Sequence, residues 1–193
     1  MRDLIESVLR NHSADYLEIR IEETESTHIR YRGHALDEIG HSTGEGGCVR
    51  AAVRGGWGFV CFNDLNNLRE KAALAVRQAR LVGTGKTQLA EVDPVTVNVP
   101  LILDSDPRQV SLAEKKQILD GYIDLLCREP GIQTSSLNYE DSRRHIIFGN
   151  SQGSYIESAR VDVTFGATAI ARDGGDVQQA GISVGSLGDF SLL

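Results

Sequence analysis

Cysteine, tryptophan, methionine and proline are all scarce: the 193 residues hold three cysteines, one tryptophan, one methionine and four prolines. The thiols, Cys48, Cys61 and Cys127, are odd in number and lack short paired spacing. That pattern argues against a disulfide framework or a structural zinc knuckle and for reduced thiols, so a cytoplasmic location is expected. A chain of this length buries about 70% of its extended surface and needs no such staple. No segment approaches the ~20 apolar residues of a membrane-spanning helix, and the opening Met1-Arg2-Asp3-Leu4-Ile5-Glu6 lacks the apolar stretch of a secretory signal. Positive charge is also in deficit, with 20 Lys plus Arg against 27 Asp plus Glu and a net charge of −7. Phosphate neutralisation needs a clustered basic surface, so direct nucleic-acid binding is not expected. With 40% hydrophobic and 24% charged residues, the composition is that of one large globular domain or two small ones.

Periodicity supplies the elements. Leu4, Ile5, Val8 and Leu9 form one helical stripe, with Asp3 and Glu6 in the first turn where the helix dipole favours them. From Asp15 the period changes to two: Leu17, Ile19 and Ile21, then Ile29 and Tyr31, alternate with polar residues and read as two half-buried strands. Residues 44–47 read as a glycine-rich turn, with a mobile flap over a cleft as the alternative. Val49, Ala51 and Val53 then alternate with Arg50 and Arg54, and Gly55-Gly56 marks a tight hairpin into Trp57–Phe62. Trp57 and Phe59 are expected in the core, packed beneath the turn. Arg30/Arg32, Arg50/Arg54 and Arg143/Arg144 are expected on solvated sheet faces.

Leu65, Leu68, Ala72, Ala75, Val76 and Ala79 predict a long helix to about Val82, capped by Asn63 or Asp64. Residues 83–110 carry Pro94, Pro100 and Pro107 around one short strand candidate at Val95–Val99, and any sub-boundary falls in this connector. Ser111-Leu-Ala-Glu114 has capping-box spacing and opens a second long helix, which Pro130-Gly131 ends. Strands follow at 132–140 and 144–149, and then Tyr155–Ala171 alternates over its whole length before Asp173-Gly174-Gly175 turns it into 177–184. This order lacks the regular βαβ alternation of a doubly wound fold. It predicts an α+β fold: a mostly antiparallel β-sheet with two long helices and a short N-terminal helix.

The motifs that invite a chemical reading fail on spacing. Gly83-Thr-Gly-Lys-Thr87 ends like a P-loop, but Arg80 stands where the earlier glycine should be and the segment follows a helix. His28, His34, His41 and Cys48 lie six or seven residues apart and match neither structural nor helical zinc spacing. Glu25/His28 and Glu38/His41 have Glu-x-x-His spacing in segments that read as strand and turn, where such a pair does not share a face. Cys48 and Cys61 fall in apolar strand contexts and read as inert packing. His145, between Arg144 and Ile146, reads as structural or exposed. No acid and base pair can be assigned among Glu22, Glu23, Glu25, Asp37, Glu38, Glu140 and Asp141. No catalytic, cofactor-binding or metal residue is therefore assigned to this chain.

Several segments in order carry a resemblance. Ala14-Asp-Tyr-Leu-Glu-Ile-Arg20, Gly46-Gly-Cys-Val-Arg50, Gly55-Gly-Trp-Gly-Phe59, the helix with Ala72, Ala75 and Ala79, and Asn150-Ser-Gln-Gly153 together resemble the N-terminal domain of the TldD/PmbA metallopeptidase family. Its members are also called modulators of DNA gyrase, and the glycine and tryptophan pattern is closer to the TldD branch. The resemblance implies a cytoplasmic zinc-dependent peptidase acting on unfolded or small peptides, as a homodimer or with a PmbA-like partner subunit. It places the family's His-Glu-x-x-x-His zinc helix and a later cysteine in a C-terminal domain, and this sequence has no such motif. Cys127 lacks the motif around that later cysteine. Residues 1–193 are thus expected to form a substrate-cleft and subunit-contact domain, inactive alone, with no cofactor of its own and zinc in the C-terminal domain. The alternative is a self-contained noncatalytic peptide-binding or assembly module, whose long strand from Tyr155 recruits an extended peptide by edge pairing.

Overall fold

The computed structural model describes residues 1–193. Three helices, α1 (Arg2–Arg10), α2 (Leu68–Val82) and α3 (Leu112–Arg128), accompany seven strands. These are β1 (Tyr16–Arg32), β2 (Ala35–Val53), β3 (Gly56–Phe62), β4 (Thr96–Val99), β5 (Ile132–Asn150), β6 (Tyr155–Asp173) and β7 (Asp176–Leu187). They form one sheet in the order β3-β2-β1-β5-β6-β4, with β7 also paired to β6. The β2–β3 and β6–β7 pairs are antiparallel and β4 runs parallel to β6, so the fold is α+β as expected. No helix is long and apolar enough to cross a membrane.

The structure lengthens several expected strands. The two expected between 17 and 32 are one strand, β1, and those at 132–140 and 144–149 are one strand, β5. Residues 44–47 are not a turn or a flap; they lie within β2, where Gly47 pairs with Phe62. A side chain at Gly47 would meet the Arg20 carbonyl oxygen at 2.3 Å, so close strand approach, rather than turning, accounts for glycine there. β6 lies between β5 and a second row in which β4 takes residues 155–158 and β7 takes 162–173. Recruitment of a peptide along the edge of β6 is therefore ruled out, because its backbone groups already have partners.

The chain divides into two compact units, each assembled from three stretches. The first comprises Met1–Glu23, Gly44–Pro100 and Arg144–Ala159. Its core joins Ile5, Val8 and Leu9 of α1, Leu17, Ile19 and Ile21 of β1, Val49, Ala51 and Val53 of β2, and Leu68, Ala72, Ala75, Val76 and Ala79 of α2. Three of the five α2 residues are alanine, which supplies little apolar area, so this helix depends on close approach for its dispersion energy. Gly56 and Gly58 permit that approach: an added Cβ would lie 2.4 Å from the Ala79 oxygen at Gly56 and 1.9 Å from the Ala75 oxygen at Gly58. The expected hairpin forms, but its turn lies one residue earlier than Gly55-Gly56: Arg54 (φ 51°) and Gly55 (φ 78°) take the left-handed region that a type I′ turn requires, and Gly56 already pairs with Val53. The cap of α2 differs from expectation, since Asn67 is the N-cap residue and makes no side-chain cap. Asp64 instead accepts from the Asn66 amide and the Lys71 ammonium.

The second unit comprises Thr24–Thr43, Leu101–Arg143 and Arg160–Leu193. Leu119 and Ile123 of α3 pack with Ile29, Tyr31, Leu137, Tyr139, Val161, Val163, Phe165 and Phe190. The expected capping box is formed: Ser111 Oγ accepts from the Glu114 amide at 3.2 Å and Glu114 Oε2 accepts from the Ser111 amide at 2.9 Å. Two orphan donors at the start of α3 are thereby satisfied.

Candidate functional site

Strand alternation in the first unit sorts residues onto two sheet faces. Leu17, Ile19, Val49, Ala51, Gly56 and Gly58 occupy the helix-covered side, so Tyr16, Glu18, Cys48, Arg50, Trp57 and Phe59 fall on the other. Trp57 is 46% and Phe59 52% exposed, which corrects their expected place in the core. The glycines hold the inward positions because the helix backbone fills the space a side chain would need, and this directs both aromatics outward.

On that face Glu18 is buried, at 8% exposure, and both of its oxygens are satisfied. Tyr16 donates its hydroxyl to Glu18 Oε2 at 2.6 Å and Arg50 donates Nε to Oε1 at 2.6 Å. A buried carboxylate is tolerated when it is paired and hydrogen-bonded in this way. The Arg50 guanidinium lies 5.5 Å from the centroid of Trp57, and the Tyr16 and Trp57 rings meet edge-on at 6.1 Å. Arg50 lies on a solvated face, as expected, with its side chain 48% exposed, and is there the shared partner of an acid and an aromatic. Its hydrogen bond to Glu18 raises its pKa, whereas burial and then the Glu18 contact push the Tyr16 phenol up to about 12.

Tyr16, Arg50 and Trp57 form part of a cleft of about 380 Å³ whose other walls include Val92, Val95, Phe148 and Asn150. Asn150-Ser-Gln-Gly153 builds one wall as a turn: Asn150 Oδ1 accepts from the Gln152 and Ser154 amides, and Gly153 takes φ 98°. Ser151 fastens this turn to β1, donating its amide to the Leu17 carbonyl at 2.8 Å and accepting the Leu17 amide on Oγ at 3.0 Å. The connector forms another wall, anchored where Val95 donates to Ser154 Oγ and accepts the Tyr155 amide. An aromatic surface, a guanidinium and a side-chain amide thus meet around one cleft, offering apolar contact together with hydrogen-bond donors and an acceptor.

The other sequence candidates are distributed. His28 Nε2 lies 3.1 Å from Glu38, His34 Nδ1 lies 3.9 Å from Asp124, and His41 Nδ1 lies 3.5 Å from Thr27 Oγ1. His145 has both ring nitrogens at 3.0 Å from carboxylates, those of Glu23 and Glu157. No three His, Cys, Asp or Glu side chains are grouped to hold a metal ion, so these residues do not fit a zinc centre. The Gly83–Thr87 segment closes the β2–β3 turn: Gly85 donates to the Arg54 carbonyl, and Thr87 Oγ1 accepts from Gly55 and donates to Asp15.

A second polar cavity, of about 320 Å³, lies within the other unit. There Lys115 and Asp141, 3% and 5% exposed, pair at 2.5 Å while Tyr139 donates to the same carboxylate oxygen at 2.6 Å. Burial, followed by that hydrogen bond, drives the Tyr139 phenol far above its usual pKa.

Two family models match this chain in succession: PmbA/TldA metallopeptidase domain 1 over residues 17–80 and the PmbA/TldA metallopeptidase central domain over 105–192. The chain belongs to the PmbA/TldD family. A metalloprotease of Synechocystis sp. is 37% identical over 175 residues, which is 90% of this chain and 38% of the relative. The solved structure of a proposed modulator of DNA gyrase from Bacteroides thetaiotaomicron superposes with a TM-score of 0.81 at 13% identity, covering 98% of this chain and 45% of that one. TldE from Thermococcus kodakarensis gives 0.68 at 16% identity, covering 97% and 42%. These structures share the fold. The chain spans about two fifths of the length of the curated relatives it matches. Within this PmbA/TldD segment, the Gly-Gly-Trp-Gly-Phe stretch is the β3 hairpin against α2, and Asn150-Ser-Gln-Gly153 is the turn that ties β5 to β1. The Tyr16-Glu18-Arg50-Trp57 cluster escaped sequence reasoning. Its signal was the glycines at 56 and 58, whose face against an alanine-rich helix dictates where 57 and 59 must point.

Proposed function

We propose that this chain is the substrate-side portion of a TldD-like zinc-dependent peptidase acting on unfolded or small peptides. The observation that carries the reading is the coincidence of the two consecutive family matches with an open cleft walled by Tyr16, Arg50 and Trp57. In this reading the zinc and its catalytic glutamate belong to a C-terminal domain, and the protein works in the cytoplasm as a homodimer or with a PmbA-like subunit. The residues described here bind and orient the peptide: Trp57 stacks against apolar or aromatic side chains, and Arg50, held by Glu18, presents its remaining N–H groups to main-chain carbonyls.

The test uses the protein that contains this chain together with its C-terminal domain, with metal content and hydrolysis of an unfolded polypeptide measured together. Zinc in stoichiometric amount with peptidase activity is the expected result, and a zinc-free, inactive protein overturns the assignment of activity. Trp57→Ala is expected to raise KM by about tenfold, equivalent to ~1.4 kcal/mol of binding, with kcat little changed. An unchanged KM in a zinc-loaded, active enzyme refutes the cleft assignment alone.

A further inference from the structure

The register of the β2–β3 hairpin places Cys48 directly opposite Cys61 on the same face as Arg50 and Trp57. Cys61 is exposed and Cys48 half-buried, and both are free thiols. The two-residue turn at Arg54–Gly55 makes Val53↔Gly56 the hydrogen-bonded pair that closes the hairpin. Pair types alternate along an antiparallel ladder, and Cys48↔Cys61 is the fifth pair beyond the closing one. It therefore falls at a non-hydrogen-bonded position, where opposed Cα atoms are about 4.5 Å apart and side chains come closest. A disulfide spans Cα separations of about 4.4–6.8 Å, so the ladder already supplies the spacing the bond requires.

We propose that Cys48 and Cys61 are an oxidative modification site that closes reversibly into a cross-strand disulfide when the protein meets a peroxide. The exposed Cys61 thiolate attacks one peroxide oxygen: an S–O bond forms, the O–O bond breaks and water leaves after protonation. Cys48 then loses its proton and attacks the Cys61 sulfur, so the S–S bond forms, the S–O bond breaks and a second water departs. Two thiols and one hydrogen peroxide give one disulfide and two waters; the sulfurs lose two electrons and the peroxide gains them. A cellular dithiol reverses the bond by exchange. Burial, and secondarily the charge of Cys61, raises the Cys48 thiol pKa, which suits it to the resolving rather than the attacking role. Cys127 lies against Ser135 at 3.4 Å and provides an internal control without a cross-strand thiol. The closed loop, residues 48–61, carries Arg50 and Trp57, so oxidation pins one wall of the cleft. The proposal does not depend on the peptidase reading.

The test exposes the protein to a small excess of hydrogen peroxide, alkylates the remaining thiols and maps the peptides by mass spectrometry. The expected result is a chain lighter by two hydrogens, a peptide bearing Cys48 joined to one bearing Cys61, Cys127 still alkylatable, and all three thiols recovered with dithiothreitol. Cys48→Ser is expected to abolish the link and leave Cys61 trapped as a sulfenic acid by dimedone. Full alkylation of Cys48 and Cys61 after peroxide, a predominant link through Cys127, or chain dimers as the main product would each overturn the proposal.

Discussion

Replacing Gly58 with alanine tests whether α2 is held by backbone approach rather than by side-chain area. The new Cβ would stand 1.9 Å from the Ala75 carbonyl oxygen and 2.7 Å from the Ala79 nitrogen, and both atoms belong to helix backbone that no rotamer change can move. Ordinary contact begins near 3.4 Å, so the helix must retreat by about 1.5 Å from β3. A gap of only 0.5–1 Å already forfeits about a quarter to a half of each dispersion well, and the small Ala72, Ala75 and Ala79 cannot refill the space. The expected cost is about 3 kcal/mol, at the upper end for overpacking. For a chain of this size that lowers Tm by about 6–12 °C. Gly85→Ala is the control, because nothing lies within 4 Å of its added Cβ, and it should change stability by less than about 0.5 kcal/mol. Both are measured by thermal melts followed by far-ultraviolet circular dichroism. A Gly58→Ala melt within about 1 °C of the parent would refute the close-packing account.

Three further outcomes follow from buried and titrating groups. Lys115→Met leaves Asp141 buried with only the Tyr139 hydroxyl and should cost about 3–5 kcal/mol in urea unfolding, while Lys115→Met/Asp141→Leu should recover most of it; an additive double variant would contradict the pairing. Asp106 is held below the usual aspartate pKa, mainly by its hydrogen bonds from Arg108, so its stabilisation is present above about pH 4 and is lost as pH falls through the lowered value. Asp106→Asn should therefore flatten the acid limb of Tm against pH. Tyr16 has the opposite sign: with the phenol raised from 10.0 to about 12, its contribution is full below pH 10 and is lost as pH rises through 12. Tyr16→Phe should reduce the loss of Tm between those values, and an unchanged alkaline limb would count against the buried Tyr16–Glu18 bond.

Much of the scaffold was legible because local chemistry and tertiary structure agree. Ser111 and Glu114 have one low-energy use, at the start of α3, and the glycine pair Gly55-Gly56 marked the hairpin to within one residue of its Arg54-Gly55 turn. The central part of β1 was illegible for the converse reason: Glu22 to Ser26 are half-buried polar residues on both faces, so no apolar period marks a strand that its neighbours hold by backbone bonds. Gly44–Gly47 misled through composition, since glycine serves a tight approach to a carbonyl as well as it serves a turn. The cleft was hidden for a third reason. Tyr16, Arg50 and Trp57 are far apart in sequence, and only the partner of the intervening glycines reveals which side of the sheet they share.

The discontinuous make-up of the two units bears on how the polypeptide is synthesised. The first unit takes its last stretch from Arg144–Ala159 and the second from Arg160–Leu193. A ribosome must therefore release most of the chain before either unit has all its strands. The first is complete only once Ala159 has emerged, when two of the three stretches of the second have already been made. Long-range pairing of this kind makes folding slow and leaves apolar strands unpartnered in the interval. Nascent chains arrested before residue 144 should consequently depend on chaperones and be readily cleaved by proteases, whereas once residue 159 has cleared the ribosome the first unit should gain resistance before the second.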